Sequence, residues 1–322
     1  MRVVRRAWRQ WTERDTSHKV PPPWMLPEAV QVIEVGPRDG LQSEPDPIRT
    51  QDKIWLVDAL AQRGRMQDIE VTAFVSPKAI PQLADASEVM AGIQRVQGAR
   101  YSALVPNMKG LEAAMEAKVS SVAVFTAASE TFTRKNIRCS IAESLKRYEQ
   151  VARAARDSGV PVRGYVSCVV GCPYEGPIAP TQVASVSAAL IDLGCYQISL
   201  GDTIGCGTPL TIRAMVQEVK RLVPAELLAA HFHDTAGQAL DNVFVAMEEG
   251  LTTVDSAVGG LGGCPYAPGA PGNLSTEKLL DALDRAQIEA NSGLLDRSEL
   301  RKIGEHVQQF IISKRRGSMG LI

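Results

Sequence analysis

Several things are scarce in this chain of 322 residues, and each scarcity removes a class of protein. Its six cysteines (139, 168, 172, 195, 206 and 264) are scattered, with no CxxC pair. A disulfide framework is therefore not expected, and free thiols in a reducing compartment are. No apolar run reaches the roughly 18 residues that a membrane-spanning helix needs, so no membrane partner is expected. Charge is nearly balanced, at a formal net of -1. The basic excess that would gather nucleic acid is missing. Histidine is rare as well: there are four, and two of them, His231 and His233, sit two residues apart.

What is present reads as a soluble globular chain, 45% hydrophobic and 22% charged. Its length exceeds the usual single domain, but α/β barrels of roughly 250 to 300 residues are commonly one domain. Residues 1–26 differ in character from the rest. Arg2, Arg5, Arg6, Arg9, Arg14 and Lys19 face only Glu13 and Asp15, and Val4, Trp8 and Trp11 would share one helical face. This stretch is expected to be a flexible or surface-packed extension joined through Pro21-Pro22-Pro23 to a folded domain at 27–322. A cytoplasmic location is expected. The alternative, the mitochondrial matrix, requires residues 1–20 to act as a transit peptide, against which the two acids and scarce serines count.

From Gln31 onward, β-rich runs alternate with helical spacing. The strand-like runs are Val30–Val35, Asp68–Thr72, Tyr101–Val105, Ser121–Thr126, Val162–Cys168, Tyr196–Leu200, Leu227–His233 and Thr253–Val258. Helical stretches separate them, among them Ser140–Ser158, Pro180–Leu193, Pro209–Leu222 and Gln238–Glu249. Eight βα units predict parallel strands closed into a (β/α)8 TIM barrel. The other candidate, an open doubly wound sheet, would carry a GxGxxG turn after its first strand. Gly36-Pro37-Arg38-Asp39-Gly40 does not match it.

A barrel places its chemistry at the C-terminal ends of its strands. Polar residues collect there in this chain: Arg38 and Asp39 after the first strand, Glu70 on the second, Asp202 after the sixth, the two histidines at the seventh, and a glycine-rich loop with Cys264 and Asn273 after the eighth. In an extended strand, residues i and i+2 face the same way, so two imidazoles would converge as they do on a divalent metal. The alternative, two polar residues packed at a strand end, is open on that spacing alone. Cys264 stands apart from buried thiols such as Cys139, Cys168, Cys195 and Cys206 are expected to be, because its loop holds six glycines in fifteen residues (Gly259–Asn273). A lid that closes over substrate is the expectation.

The segments GPRDGLQ (Gly36–Gln42), TAFVSPK (Thr72–Lys78), GCPYEG (Gly171–Gly176), SLGDTIGCGTP (Ser199–Pro209), HFHDTAGQAL (His231–Leu240) and GLGGCPYAPGAPGN (Gly260–Asn273) resemble, in this order, those of the hydroxymethylglutaryl-CoA lyases. The resemblance implies metal-dependent cleavage of a 3-hydroxy-3-methylglutaryl thioester to acetyl-CoA and acetoacetate, a step of leucine degradation and ketone-body metabolism. It implies Asp39, His231, His233 and Asn273 as ligands of Mg²⁺ or Mn²⁺, an acyl-CoA partner and a homodimer. Arg38 would steady the enolate oxygen, with Glu70 holding Arg38 or a metal-bound water. Asp202 or His231 would take the hydroxyl proton, and Cys264 would return one. The first-strand Asp and the HxH are shared with condensing acyltransferases of the isopropylmalate synthase type, which remain the alternative class. Ala236, where relatives often carry tyrosine, suggests room for a larger 3-alkyl group.

Overall fold

The structure, a computed structural model, describes residues 26–264 and 267–318, and side chains outside 264–271 and 310–318. The extension expected at 1–26, with its predicted helical face, lies outside the described residues apart from Leu26. Eight parallel strands form the expected barrel: β1 Ala29–Glu34, β2 Asp68–Ala73, β3 Arg100–Leu104, β4 Ser121–Ala127, β5 Val162–Ser167, β6 Gln197–Asp202, β7 Leu228–Phe232 and β8 Thr253–Ser256. Each pairs with the next, and β1 returns to β8 in the register Gln31↔Thr253 through Glu34↔Ser256, which closes the sheet. Closure removes both sheet edges.

Alternation along β5 to β8 sorts residues into a mainly apolar outward set and a mainly polar inward one. On β6, Ile198 and Leu200 are fully buried, while Gln197 and Ser199 bond across the interior to Thr253 and Asp255. Leu228, Ala230 and Val254 repeat the outward pattern on β7 and β8. Each fully buried Leu or Ile contributes about 1.5–3 kcal/mol. The helices begin where their caps dictate. Ser140 and Glu143 form a capping box on Ile141–Asp157, and Pro180 and Pro209 open the helices Pro180–Asp192 and Pro209–Val219. Differences from the sequence reading are local. A separate helix, Glu130–Ile137, precedes Ile141–Asp157, and β7 stops at Phe232, one residue short of His233.

Glu34 ends β1 on the outward side and is fully buried. Its Oε1 accepts from the amides of Gly36 and Val258, and Oε2 lies 2.8 Å from Thr276 Oγ1. Burial pushes its pKa up to about 8, the two amides and Thr276 only partly opposing. A carboxyl raised in the folded state adds stability that is complete below its ordinary value of 4.5 and is lost as pH rises through about 8. Melting temperature measured across that window should therefore fall for the wild type. Glu34→Gln, which keeps a neutral amide in place of the acid, should flatten the decline; an unchanged slope would remove Glu34 as its source.

Candidate active site

The loop after β1 supplies two of the site's charged groups. Gly36–Gly40 makes one wide helical turn in which the amides of Asp39 and Gly40 both reach Val35 O, at 2.7 and 3.3 Å. Turns of this width recur at functional sites. Here it turns both Arg38 and Asp39 into the cavity at the barrel mouth. Gly40 permits the approach of the β8 loop, since a Cβ there would stand 2.6 Å from the Cβ of Leu261. Gly262 does the same from the other side. Its φ of 106° is open to glycine, and a Cβ would lie 2.9 Å from Asn273 Nδ2.

Asp39, His231 and His233 each bring a ligand atom into one group, all within 4.8 Å of one another. Asp39 Oδ2 lies 3.7 Å from His231 Nε2 and 3.9 Å from His233 Nε2. The rings of the two histidines are 5.6 Å apart. His233 is therefore brought to the site without belonging to the strand; it is held by a bridge to Asn273 instead. Asn273 donates from Nδ2 to Asp39 Oδ2 at 2.8 Å and to Leu261 O at 3.2 Å. As a fourth ligand it would present Oδ1, with its amide turned over.

A buried network backs this group. Arg38 is clamped between Glu70 and Asp39, with Nη1 2.6 Å from Asp39 Oδ1. Burial alone would lower the Arg38 pKa, but Glu70 and Asp39 more than reverse that and raise it. Tyr165 donates to the other oxygen of Glu70 at 2.5 Å and lies 5.2 Å from the guanidinium carbons of both Arg38 and Arg163. Arg163 forks onto Asp255 at 2.8 and 3.0 Å, and Asp255 meets His231 Nδ1 at 3.1 Å. Burial favours a neutral Asp255, but Arg163 and His231 overcome this and hold it well below the usual carboxylate range. Asp39 is likewise desolvated, yet Arg38 and the histidines bring its pKa down to about 2. Burial and neighbouring His231 push His233 down to about 4.

These residues fit a divalent cation. Three carboxylates (Asp39, Glu70, Asp255) face two guanidiniums, which leaves negative charge unmatched beside an imidazole kept neutral at pH 7. Asp39 Oδ2 and the Nε2 atoms of His231 and His233, one oxygen and two nitrogen donors, converge without a thiolate.

The sequence reading placed Asp202 in this site as one candidate for the hydroxyl proton. The structure turns it elsewhere. Asp202 shares the outward face of β6 with Ile198 and Leu200, and its carboxylate accepts from the amides of Cys206 and Gly207 at 3.2 and 2.8 Å. Its neighbours Gly201 and Thr203 line the cavity and it does not. Burial raises its pKa, against the pull of those amides. Cys206, expected to be buried, is exposed, while Cys139, Cys168, Cys172 and Cys195 are buried; these five are free thiols. Backbone at Gly263–Cys264 pairs with Ala267–Pro271 in a short hairpin, and Gly263 lines the cavity; the Cys264 side chain lies outside the described residues. Ala236 is exposed and does not line the cavity. Reading the sequence missed Tyr165, Arg163, Ser199 and Asp255. Their signal was a charged or hydroxyl side chain at an inward position of strands otherwise rich in valine, isoleucine and leucine.

Fold and site together define a (β/α)8-barrel enzyme with a candidate divalent-metal centre at the C-terminal face. Comparison with known proteins narrows the class. The HMGL-like family model matches residues 29–307, and the chain belongs to that family. A Danio rerio relative named 3-hydroxy-3-methylglutaryl-CoA lyase, cytoplasmic, is 53% identical over 84% of this chain and 80% of its own length. Other relatives bear mitochondrial names. A Pseudomonas aeruginosa relative named 3-hydroxy-3-isohexenylglutaryl-CoA/hydroxy-methylglutaryl-CoA lyase is 54% identical, covering 82% and 87%. The crystal structure of the HMG-CoA lyase from Brucella melitensis superposes with a TM-score of 0.86 at 52% identity, covering 88% of this chain and 99% of that one. No helix among the described residues is long and apolar enough to cross a membrane.

A ligand that binds the folded state raises its stability in proportion to the logarithm of concentration over Kd. Adding Mn²⁺ should therefore raise the melting temperature of the wild type in a dose-dependent way and leave Asp39→Ala unmoved. Equal shifts in both would place the metal elsewhere.

Proposed function

We propose that this protein cleaves 3-hydroxy-3-methylglutaryl-CoA to acetyl-CoA and acetoacetate. The observation that carries the reading is the meeting of Arg38 and Asp39 with His231 and His233 at one cavity, below the Cys264 loop, in a chain about half identical to lyases of that name. A divalent cation at Asp39, His231, His233 and Asn273 would polarise the tertiary hydroxyl of the substrate. Oxygen and nitrogen donors without thiolate suit Mg²⁺ or Mn²⁺.

The chain's own residues take the remaining tasks. Loss of the hydroxyl proton lets the carbon–carbon bond break, and the electron pair passes to the thioester as an enolate. Arg38, fixed by Glu70 and permanently charged, is the donor for the enolate oxygen. Of the two groups considered for the hydroxyl proton, Asp202 does not line the cavity, and His231 lines it with Nε2 toward the metal site and Nδ1 against Asp255, so the proton would pass to water entering the cavity. The Cys264 thiol, one residue beyond cavity-lining Gly263, is the group assigned to protonate the enolate carbon. Purified protein with Mg²⁺ and hydroxymethylglutaryl-CoA should release acetoacetate, assayed enzymatically. Losing one such donor costs on the order of 10²–10³ in kcat, so Arg38→Gln should show a loss of that order while keeping its fold. An absence of metal-dependent product would refute the reading.

A second reading, a larger 3-alkyl substrate, is favoured by the cavity wall. The cavity encloses about 310 Å³, and Val75, Ile80, Leu104, Phe125 and Phe132 form an apolar side to it. Ala236 is not part of this wall, which is built by β3, β4, helix Glu130–Ile137 and the loop after β2. A branched alkyl chain would bury there at about 0.8 kcal/mol per CH₂. Comparing kcat/KM for the 3-methyl substrate with a longer 3-alkyl analogue should show comparable or higher values for the longer chain; a strong preference for methyl would discard it.

A further inference from the structure

We propose that Asp255 is a positioning residue that fixes the tautomer of His231 and so aims the Nε2 lone pair at the metal site, with Arg163 fixing Asp255 in turn. The inference rests on reading Asp39, His231 and His233 as metal ligands. Its argument is an inventory of protons. Asp255 is 2% exposed, so water does not compete for its oxygens. Arg163 reaches Oδ2 from Nη1 at 3.0 Å and Oδ1 from Nη2 at 2.8 Å, and Ser199 Oγ stands 2.7 Å from Oδ2. The guanidinium is always a donor, and beside it an ionised carboxylate can only accept.

The remaining contact on Asp255 is His231 Nδ1, 3.1 Å from Oδ2. With an acceptor opposite, Nδ1 must carry the proton. A neutral imidazole holds one ring proton, so Nε2 is left bare, and Nε2 is the atom that points to Asp39. Tyr165, edge-on to the His231 ring at a centroid distance of 5.7 Å, limits its rotation. His233 has no such support, since its Nδ1 lacks a hydrogen-bond partner among the described residues. The two histidines, alike in sequence, thus differ in role: His231 is pre-oriented and His233 settles when the metal arrives. Carboxylates behind metal-bound imidazoles typically account for ten- to hundredfold in affinity.

Two measurements test this without substrate. In metal-free protein labelled with ¹⁵N-histidine, at a pH where the spectrum shows His231 singly protonated, two-bond ¹H–¹⁵N correlation spectra should assign that proton to Nδ1 and show Nε2 unprotonated. A proton on Nε2 would overturn the proposal. Asp255→Asn should shift that pattern and weaken Mn²⁺ binding, followed by the EPR signal of free Mn²⁺, by ten- to hundredfold. A residue that merely braces the barrel would lower the melting temperature and leave both tautomer and Kd unmoved, which would also overturn it. Should the variant fail to fold because Arg163 is left unpaired, the wild-type spectrum alone decides. Metal-dependent cleavage with Nε2-protonated His231 would defeat this inference and spare the lyase; the reverse result would do the opposite.

Discussion

Two arginines that cannot release their protons are buried inside this barrel, and the arrangement of its interior follows from them. Arg38 is 5% exposed and Arg163 is 4% exposed. An unpaired charge at such depth would cost several kcal/mol, so each needs a carboxylate with good geometry. Arg38 takes Glu70 and Asp39, and Arg163 takes Asp255. Tyr165 lies between the two pairs and joins them through Glu70. The partners come from β2, β5 and β8 and from the turn after β1, so the pairs can form only in a closed barrel. Closure and charge pairing are one requirement.

The catalytic design grows out of this arrangement. Having more carboxylates than guanidiniums, the interior keeps negative charge at its upper end, where Asp39 and the histidines stand. A dication there would complete a balance that the protein's own cations leave short. The same pairs orient the chemistry: Glu70 sets Arg38, and Asp255 sets His231. Both supporting carboxylates are seated on strands of the barrel, Glu70 on β2 and Asp255 on β8. The glycine loop after β8 is different in kind. Its approach to the site depends on close backbone packing at Gly40 and Gly262.

Much of the fold was legible in the sequence because the barrel repeats a simple unit. Strand-like runs of five to seven residues alternate with capped helices, and counting them yields eight. The strand-end motifs were legible for the same reason, since a barrel leaves few other places for Gly36–Gly40, His231–Thr235 and Gly260–Asn273 to meet. Asp202 shows where that reasoning stops. It sits at a strand end like the others, but one residue out of phase with the inward set. Its parity with Ile198 and Leu200 carried the warning, and a motif-based reading passed over it. Cys206 was misjudged because a thiol's burial depends on what packs over it, which a local sequence does not state.

By itself the sequence determined the alternation of strands and helices, the class of barrel, and the identity of the groups able to hold a metal, because periodicity and residue chemistry are local properties. Tertiary structure alone decided which of those groups face one another. It set Asp39 between two imidazoles, turned Asp202 into its own loop, and placed Asp255 and Arg163, 92 residues apart, behind His231. Distances of that kind arise only when β8 closes against β1. That closure gives a spaced pair of histidines different support beside Asp39.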